Sequence, residues 1–155
     1  MRMRTLVLVL LVMAFAWPAA SQGQTIGQAS RGIPLTETEV RNELLGLTVD
    51  GEYQDGKAWR ERFNTDGTSI YEQDGETAKG TITFRSGRMC FSYADGFSGG
   101  CFEVWRRSFN CFDFYSTNTD GTIGATPNQR RNGIAWTARA WRSDTPSTCV
   151  SDQIA

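Results

Sequence analysis

Asp-Gly recurs at 50, 55, 66, 74, 95 and 120, and Ser86-Gly87 and Asn132-Gly133 add further turn signals. Asp-Gly supplies the positive backbone angles that a two-residue hairpin turn demands. Between these breaks lie runs rich in Thr, Ile, Phe, Tyr and Trp, so the pattern is that of an all-β meander. It predicts up to eight strands, near residues 46–54, 57–64, 68–73, 77–85, 88–94, 100–106, 110–117 and 133–142. Eight antiparallel strands in a meander close most easily as a small up-and-down barrel, which removes exposed edges. A sandwich is the alternative.

Residues 80–115 carry three of the four cysteines among alternating aromatics. Side chains on a strand alternate sides, so Met89, Phe91 and Tyr93 share one face while Cys90 and Ser92 take the other. A turn centred on Asp95-Gly96 pairs 94 with 97 and 93 with 98, and outward from there sets Cys90 opposite Cys101. In an ideal register that is a hydrogen-bonded pair, so a bulge is expected at Gly99-Gly100. Phe102 and Val104 continue the apolar face, and a tight reversal near Arg107 brings Phe112 and Phe114 to it. Cys101, Glu103, Trp105, Cys111, Asp113 and Tyr115 fall behind, with Glu103 and Asp113 opposite each other in water.

The chain begins with a basic MRMR, an apolar TLVLVLLVMAFAW and small residues after Pro18, the pattern of a secretory signal peptide. The apolar run is shorter than the roughly 20 residues that a membrane span needs, so no stable span is expected after cleavage. The predicted organisation is a signal peptide over 1–23, a flexible linker over 24–34 and one barrel domain over 35–155, in a periplasmic or secreted protein. Loss of Arg2 and Arg4 with the leader makes the remainder more acidic than the formal −1 of the whole chain, which speaks against a nucleic-acid partner. Four cysteines in an exported chain read as two disulfides, Cys90 with Cys101 from the hairpin and Cys111 with Cys149 by remainder. With no histidine and no C-x-x-C pair, a zinc site fails on spacing, and no metal or cofactor is expected.

Thr36-Glu-Thr-Glu39 is a capping box with Leu35 and Val40 placed as a staple, which predicts a short helix over 37–45, stopped at Gly46 and suited to plugging one barrel end. Asn64-Thr-Asp-Gly-Thr68 recurs as Asn118-Thr-Asp-Gly-Thr122. As calcium loops these lack a full oxygen ligand set, so they are read as repeated hairpin turns.

Absence of histidine also removes Ser-His and Cys-His chemistry, leaving carboxylates and tyrosines. The segment Trp59-Arg-Glu-Arg-Phe63 puts Glu61 on the face of Trp59 and Phe63, pointing an acid into the barrel. Such an acid orients a ligand or carries a raised pKa, unless the strand end is solvated or an inward Arg pairs with it, which are the commoner arrangements. Trp59, Trp105, Trp136 and Trp141 are candidates to line a pocket, and Trp136 shares its predicted face with Ile134, Ala138 and Ala140. Arg106-Arg107 and Arg130-Arg131 read as solvated turn ends.

A helix leading into Leu45-Gly-Leu-Thr48, then Gly56-x-x-Trp59-x-x-x-Phe63-x-x-Asp66-Gly-Thr68, Gly80, Met89-Cys90-Phe91 and Cys101-Phe-Glu-Val104, resembles the small secreted lipocalin-like bacterial proteins catalogued as domain of unknown function 995. The resemblance covers about residues 35–115 and implies an export-linked β-barrel, with no catalytic residues to carry over. The G-x-W motif that opens true lipocalins is absent in that form. The expected function is a non-enzymatic barrel holding a small apolar ligand, with Trp59, Glu61, Tyr93 and Trp136 as candidate binding residues. The alternative is an envelope-protein partner, as for a lysozyme or protease inhibitor, contacted through Ser98-Gly-Gly100 or a loop over 126–133. An enzyme would be limited to Glu61, Glu72 or Tyr93.

Overall fold

A computed structural model describes residues 32–94 and 96–149. The expected signal peptide, Asp95 and the last six residues lie outside them, as does most of the expected linker. Eight strands, β2 (Thr48–Tyr53), β3 (Ala58–Phe63), β4 (Thr68–Gln73), β5 (Glu76–Arg85), β6 (Arg88–Tyr93), β7 (Gly100–Ser108), β8 (Cys111–Ser116) and β9 (Ala138–Arg142), each pair antiparallel with the next. Pairing of β9 with β2 closes the ring, so the fold is the up-and-down barrel and not the sandwich.

The described end of the predicted linker is sheet-bound, a correction to its flexible reading. Ile33–Pro34 form a short β1 against Arg106 and Trp105 of β7, and the Gly32 amide donates to the Arg131 carbonyl at 3.0 Å. Pro34 is tolerated there because an edge strand leaves one side of its backbone unpaired.

Helix α1 (Glu37–Leu44) forms for the local reasons that the capping box supplies. Thr36 Oγ1 accepts from the Glu39 amide, and the Glu39 carboxylate accepts from the Thr36 amide at 2.8 Å. Leu35 and Val40 are both buried, as a staple requires, and Leu44 is fully buried among the barrel's inner side chains. Each such burial is worth about 1.5–3 kcal/mol. The helix closes the end of the barrel where Gly46 and Leu47 hydrogen-bond to Phe63.

Of the Asp-Gly pairs, 55–56, 66–67, 74–75 and 120–121 are turns whose glycines have positive φ, and Gly96 has it too. Asp50-Gly51 is not a turn. It lies inside β2, where a side chain on Gly51 would stand 2.2 Å from the Trp59 ring. Glycine is there because the indole of the next strand lies across the backbone.

Cys90 does face Cys101, and both expected disulfides are formed. The expected bulge at Gly99-Gly100 is not needed. The Cys101 carbonyl accepts from Thr117 on the other side of β7, so toward β6 the 90/101 pair is the narrow, non-hydrogen-bonded kind, with Cα atoms 3.9 Å apart. The β6–β7 ladder ends at Phe91 and Gly100, so the expected 93–98 pairing gives way to a wider loop. The next reversal is at 109–110 and not at Arg107, with a register shift between Arg106 and Ser108.

Candidate functional site

Alternation along β3 turns Trp59, Glu61 and Phe63 inward and Ala58, Arg60 and Arg62 outward. Ser69 and Tyr71 of β4 and Phe91 and Tyr93 of β6 join them inside, with Tyr53 at the end of β2. Tyr53, Trp59, Glu61, Tyr71, Phe91 and Tyr93 border a cavity of about 50 Å³ at the barrel end opposite α1, whose wall includes Ser98 and Gly99 of the β6–β7 loop. A cavity of about 150 Å³ accepts benzene, so this one suits a few non-hydrogen atoms. Aromatic rings form most of the wall: the Tyr71 centroid lies 5.2 Å from Tyr93 and 6.2 Å from Trp59, and Tyr53 stands 6.1 Å from Trp59.

Glu61 is only 2% exposed, and its partner is a tyrosine where a solvated strand end or an inward Arg was the commoner expectation. The Tyr93 hydroxyl donates to it, 2.9 Å from both carboxylate oxygens. No ion pair among the described residues includes Glu61, because Arg60 and Arg62 leave the strand on its outer face. The Ser69 hydroxyl is buried beside the carboxylate without closing a hydrogen bond of good geometry. Burial pushes the Glu61 pKa up to about 7, and the Ser69 and Tyr93 hydroxyls only partly offset it. Burial also raises the phenol pKa of Tyr93, reinforced by the charge of Glu61.

Tyr53 and Tyr71 share a hydrogen bond of 2.9 Å, and Tyr71 donates to Gln73 at 2.6 Å, so that pair is satisfied. Trp59 Nε1 is not: it is buried with no acceptor. The group of the cavity wall that is short of donors is therefore Glu61, whereas the Trp59 N–H is packed away from the open space. Gly80 permits the arrangement, since a side chain there would stand 2.4 Å from Ser69 Oγ and 2.8 Å from the Tyr93 ring.

The candidate residues separate in space. Trp59, Glu61 and Tyr93 come together. Trp136 does not, because regular β9 begins only at Ala138, and the left-handed Ala135 breaks the alternation assumed from 133 onward. Ala138 and Ala140 face the interior, whereas Trp136 joins Trp105, Tyr115 and Ala125 in a second cluster outside the barrel. Trp141 is half-buried opposite Asp50. Glu72 is exposed opposite Arg60, on the wrong face to act with Glu61.

The second cluster exists because residues 126–133, expected as a loop, contain helix α2 (Pro127–Asn132). Thr126 and Gln129 form another capping box, Pro127 stands at the start, and Gly133 ends the helix at φ 72°. The helix lies over the outer face of β7–β9 and seals Asp113, which is fully buried and not in water. Asp113 faces Trp105, and Glu103 faces Tyr115, so the two acids are not opposite each other. Arg139 Nε donates to Asp113 at 2.7 Å, and Arg107 pairs with the same carboxylate while donating to the Arg130 and Arg131 carbonyls. Arg107 is thus a buried bracket for α2, and Arg130 is half-buried against Glu103, where solvated turn ends were expected.

The two Asn-Thr-Asp-Gly-Thr segments form the same turn. In each, one aspartate oxygen (Asp66 or Asp120) accepts from the amide of the second Thr at 2.9 Å and from its hydroxyl at 2.7 Å. Those bonds hold both carboxyls below the usual range and occupy an oxygen that a calcium ion would need. No cluster of three possible metal ligands occurs among the described residues. Comparison of the chain with protein families, with curated proteins and with solved structures finds no match.

Proposed function

We propose that this barrel is a non-enzymatic binding protein of the periplasm or the extracellular space that holds a small molecule at the end opposite α1. The observation that carries the reading is the aromatic cavity with Glu61 buried in its wall on the single hydroxyl of Tyr93. Buried carboxylates are normally paired or bonded to several donors, so one with a single donor beside an aromatic cavity marks a place for a bound group. The two disulfides indicate an oxidising compartment, and no helix among the described residues is long and apolar enough to cross a membrane. Membership of the lipocalin-like family that the sequence resembles belongs to the same proposal.

Catalysis has less support, because Glu61 and Tyr93 are already bonded to each other and Glu72 lies on the outer face. The envelope-partner alternative called for a protruding loop over a filled interior. Instead 126–133 is bracketed onto the sheet and Ser98 and Gly99 form cavity wall.

The test is native mass spectrometry of the disulfide-intact protein recovered from its own compartment. A bound mass that disappears in Trp59→Ala, with Trp136→Ala retaining it, supports the reading. A bare chain that also gives no shift at Trp59, Glu61 or Tyr93 in an NMR screen of small polar and aromatic compounds overturns it.

A further inference from the structure

We infer that the molecule held in this cavity is a short protonated amine, whose ammonium group supplies the counter-charge that Glu61 lacks. The inference rests on the binding reading above and adds the sign of the ligand's charge. A carboxylate withdrawn from water is costly unless a cation or several donors compensate it. Glu61 has one hydroxyl hydrogen from Tyr93, shared between its two oxygens, and no lysine or arginine lines the cavity.

The walls favour the same charge. Trp59, Tyr71 and Tyr93 surround the acid with aromatic rings, whose negative faces attract a cation and repel an anion. An apolar body alone would leave the Tyr93 hydroxyl as the sole donor that the Glu61 carboxylate has. Trp59 and Glu61 are two residues apart on one face of β3, roughly 6–7 Å along the strand. An ammonium group in the cavity donates to the carboxylate while the carbons attached to it pack against the aromatic wall. At about 50 Å³ the cavity takes only such a small head. Any longer substituent leaves past Ser98 and Gly99, which are exposed at its rim.

Binding is coupled to the protonation of Glu61. The polar groups facing it are Tyr93 from β6, Ser69 and Tyr71 from β4 and Tyr53 from β2. From the other strands come Phe102, Phe114, Ala138 and Gly80, which do not titrate. The three phenols have raised pKa values and stay neutral, so Glu61 alone changes charge between pH 5 and 8. An amine that binds the ionised form gains affinity as pH rises, by roughly 50-fold from pH 5 to 7 for a carboxyl near 7, and then levels off.

The experiment is an NMR titration of the disulfide-intact protein with ethanolamine, ethylamine, ethanol and acetate at pH 5, 7 and 8, following the Trp59 indole N–H. Both amines stay protonated throughout. The expected result is saturable binding of both amines, tighter at pH 7 than at pH 5 and at least tenfold ahead of ethanol. In Glu61→Gln, checked for an unchanged fold by circular dichroism, the amine preference vanishes. Ethanol binding as well as ethylamine, or acetate binding best, overturns the inference and leaves the binding reading standing. Failure of all four probes at every pH overturns the inference, and the wider screen above then decides the binding reading separately.

Discussion

Glu61 and Tyr93 lie on strands that are not neighbours, β3 and β6, with β4 and β5 between them. The Tyr93 hydroxyl nevertheless lies 2.9 Å from both oxygens of the Glu61 carboxylate. Barrel curvature makes that contact, because inward side chains converge on the axis.

Stability should report the buried acid directly. A carboxyl raised from 4.5 to about 7 keeps its proton longer in the folded chain than in the unfolded one. Its contribution is therefore fully present below about pH 4.5 and is lost as pH rises through 7, a change of about 3 kcal/mol. Urea unfolding of wild type across this range should show that decline on top of whatever other groups contribute, and Glu61→Gln should lack it. Equal slopes in the two proteins would mean that Glu61 titrates as an ordinary surface acid.

Removing the phenol should move the acid further. The Tyr93 hydroxyl stabilises the ionised form of Glu61, so Tyr93→Phe raises its pKa above 7 while keeping the ring in the wall. The side-chain carboxyl carbon of Glu61, followed by NMR against pH, gives the value in both proteins. A lower pKa in the variant would show that the hydroxyl does not favour the carboxylate.

Asp113 tests the other buried charge. It holds Arg107 and Arg139 beneath α2, so Asp113→Ala leaves two guanidinium groups without their shared carboxylate. Breaking a buried ionic cluster in this way costs about 3–5 kcal/mol. Hydrogen exchange should rise first in Pro127–Asn132, because Arg107 joins the sheet to the carbonyls of Arg130 and Arg131. A loss below about 1 kcal/mol with α2 still protected would mean that packing of Trp105, Tyr115 and Trp136 alone holds the helix.

What was legible in the sequence follows the range of the interactions. Hairpins announce themselves through turn residues and period-two patterns, so strand positions, the 90/101 register and the inward direction of Glu61 could be read locally. Helix α2 could have been read too, since Thr126-Pro-Asn-Gln129 with Gly133 carries the same capping signal as Thr36 to Glu39. The Glu61–Tyr93 contact could not, because it depends on the curvature of a closed sheet across 32 positions. Asp113 was equally hidden: a charged residue on an outward face is solvated unless another layer covers it, and that cover comes from residues 123–136.

The two disulfides should contribute unequally. They close segments of 11 and 38 residues, which in the chain-entropy account correspond to about 3 and about 4 kcal/mol. Cys90→Ser with Cys101→Ser removes the bridge from a hairpin already held by neighbouring strands. Cys111→Ser with Cys149→Ser loosens the segment after β9, which is otherwise tied by hydrogen bonds of Asn110 and Ser108 to residues 145–148 and of Ser143 to Thr48. Denaturant midpoints of the two double variants should rank the second pair as the costlier loss, and the reverse order would mean that strain outweighs loop length.

Gly80 and Gly51 should prove harder to replace than Gly56 and Gly75, turn glycines with open space around them. A Cβ on Gly80 meets Ser69 Oγ at 2.4 Å and the Tyr93 ring at 2.8 Å, and one on Gly51 meets the Trp59 ring at 2.2 Å and a backbone oxygen of Arg139 at 2.8 Å. Both substitutions overpack the wall of the cavity, at a cost of about 1–3 kcal/mol each. They differ in what yields. Gly80→Ala drives Tyr93 away from Glu61, so the Glu61 pKa should rise as it does in Tyr93→Phe. Gly51→Ala displaces the indole, with rigid backbone on its other side, so it should shift Trp59 fluorescence and leave the Glu61 titration nearer to wild type. At Gly56 and Gly75 an added Cβ meets nothing, and the positive φ alone limits the cost to about 1 kcal/mol. Thermal unfolding of the four alanine variants gives this order, and a Gly80→Ala protein as stable as Gly75→Ala would mean that Tyr93 has room to move without loss.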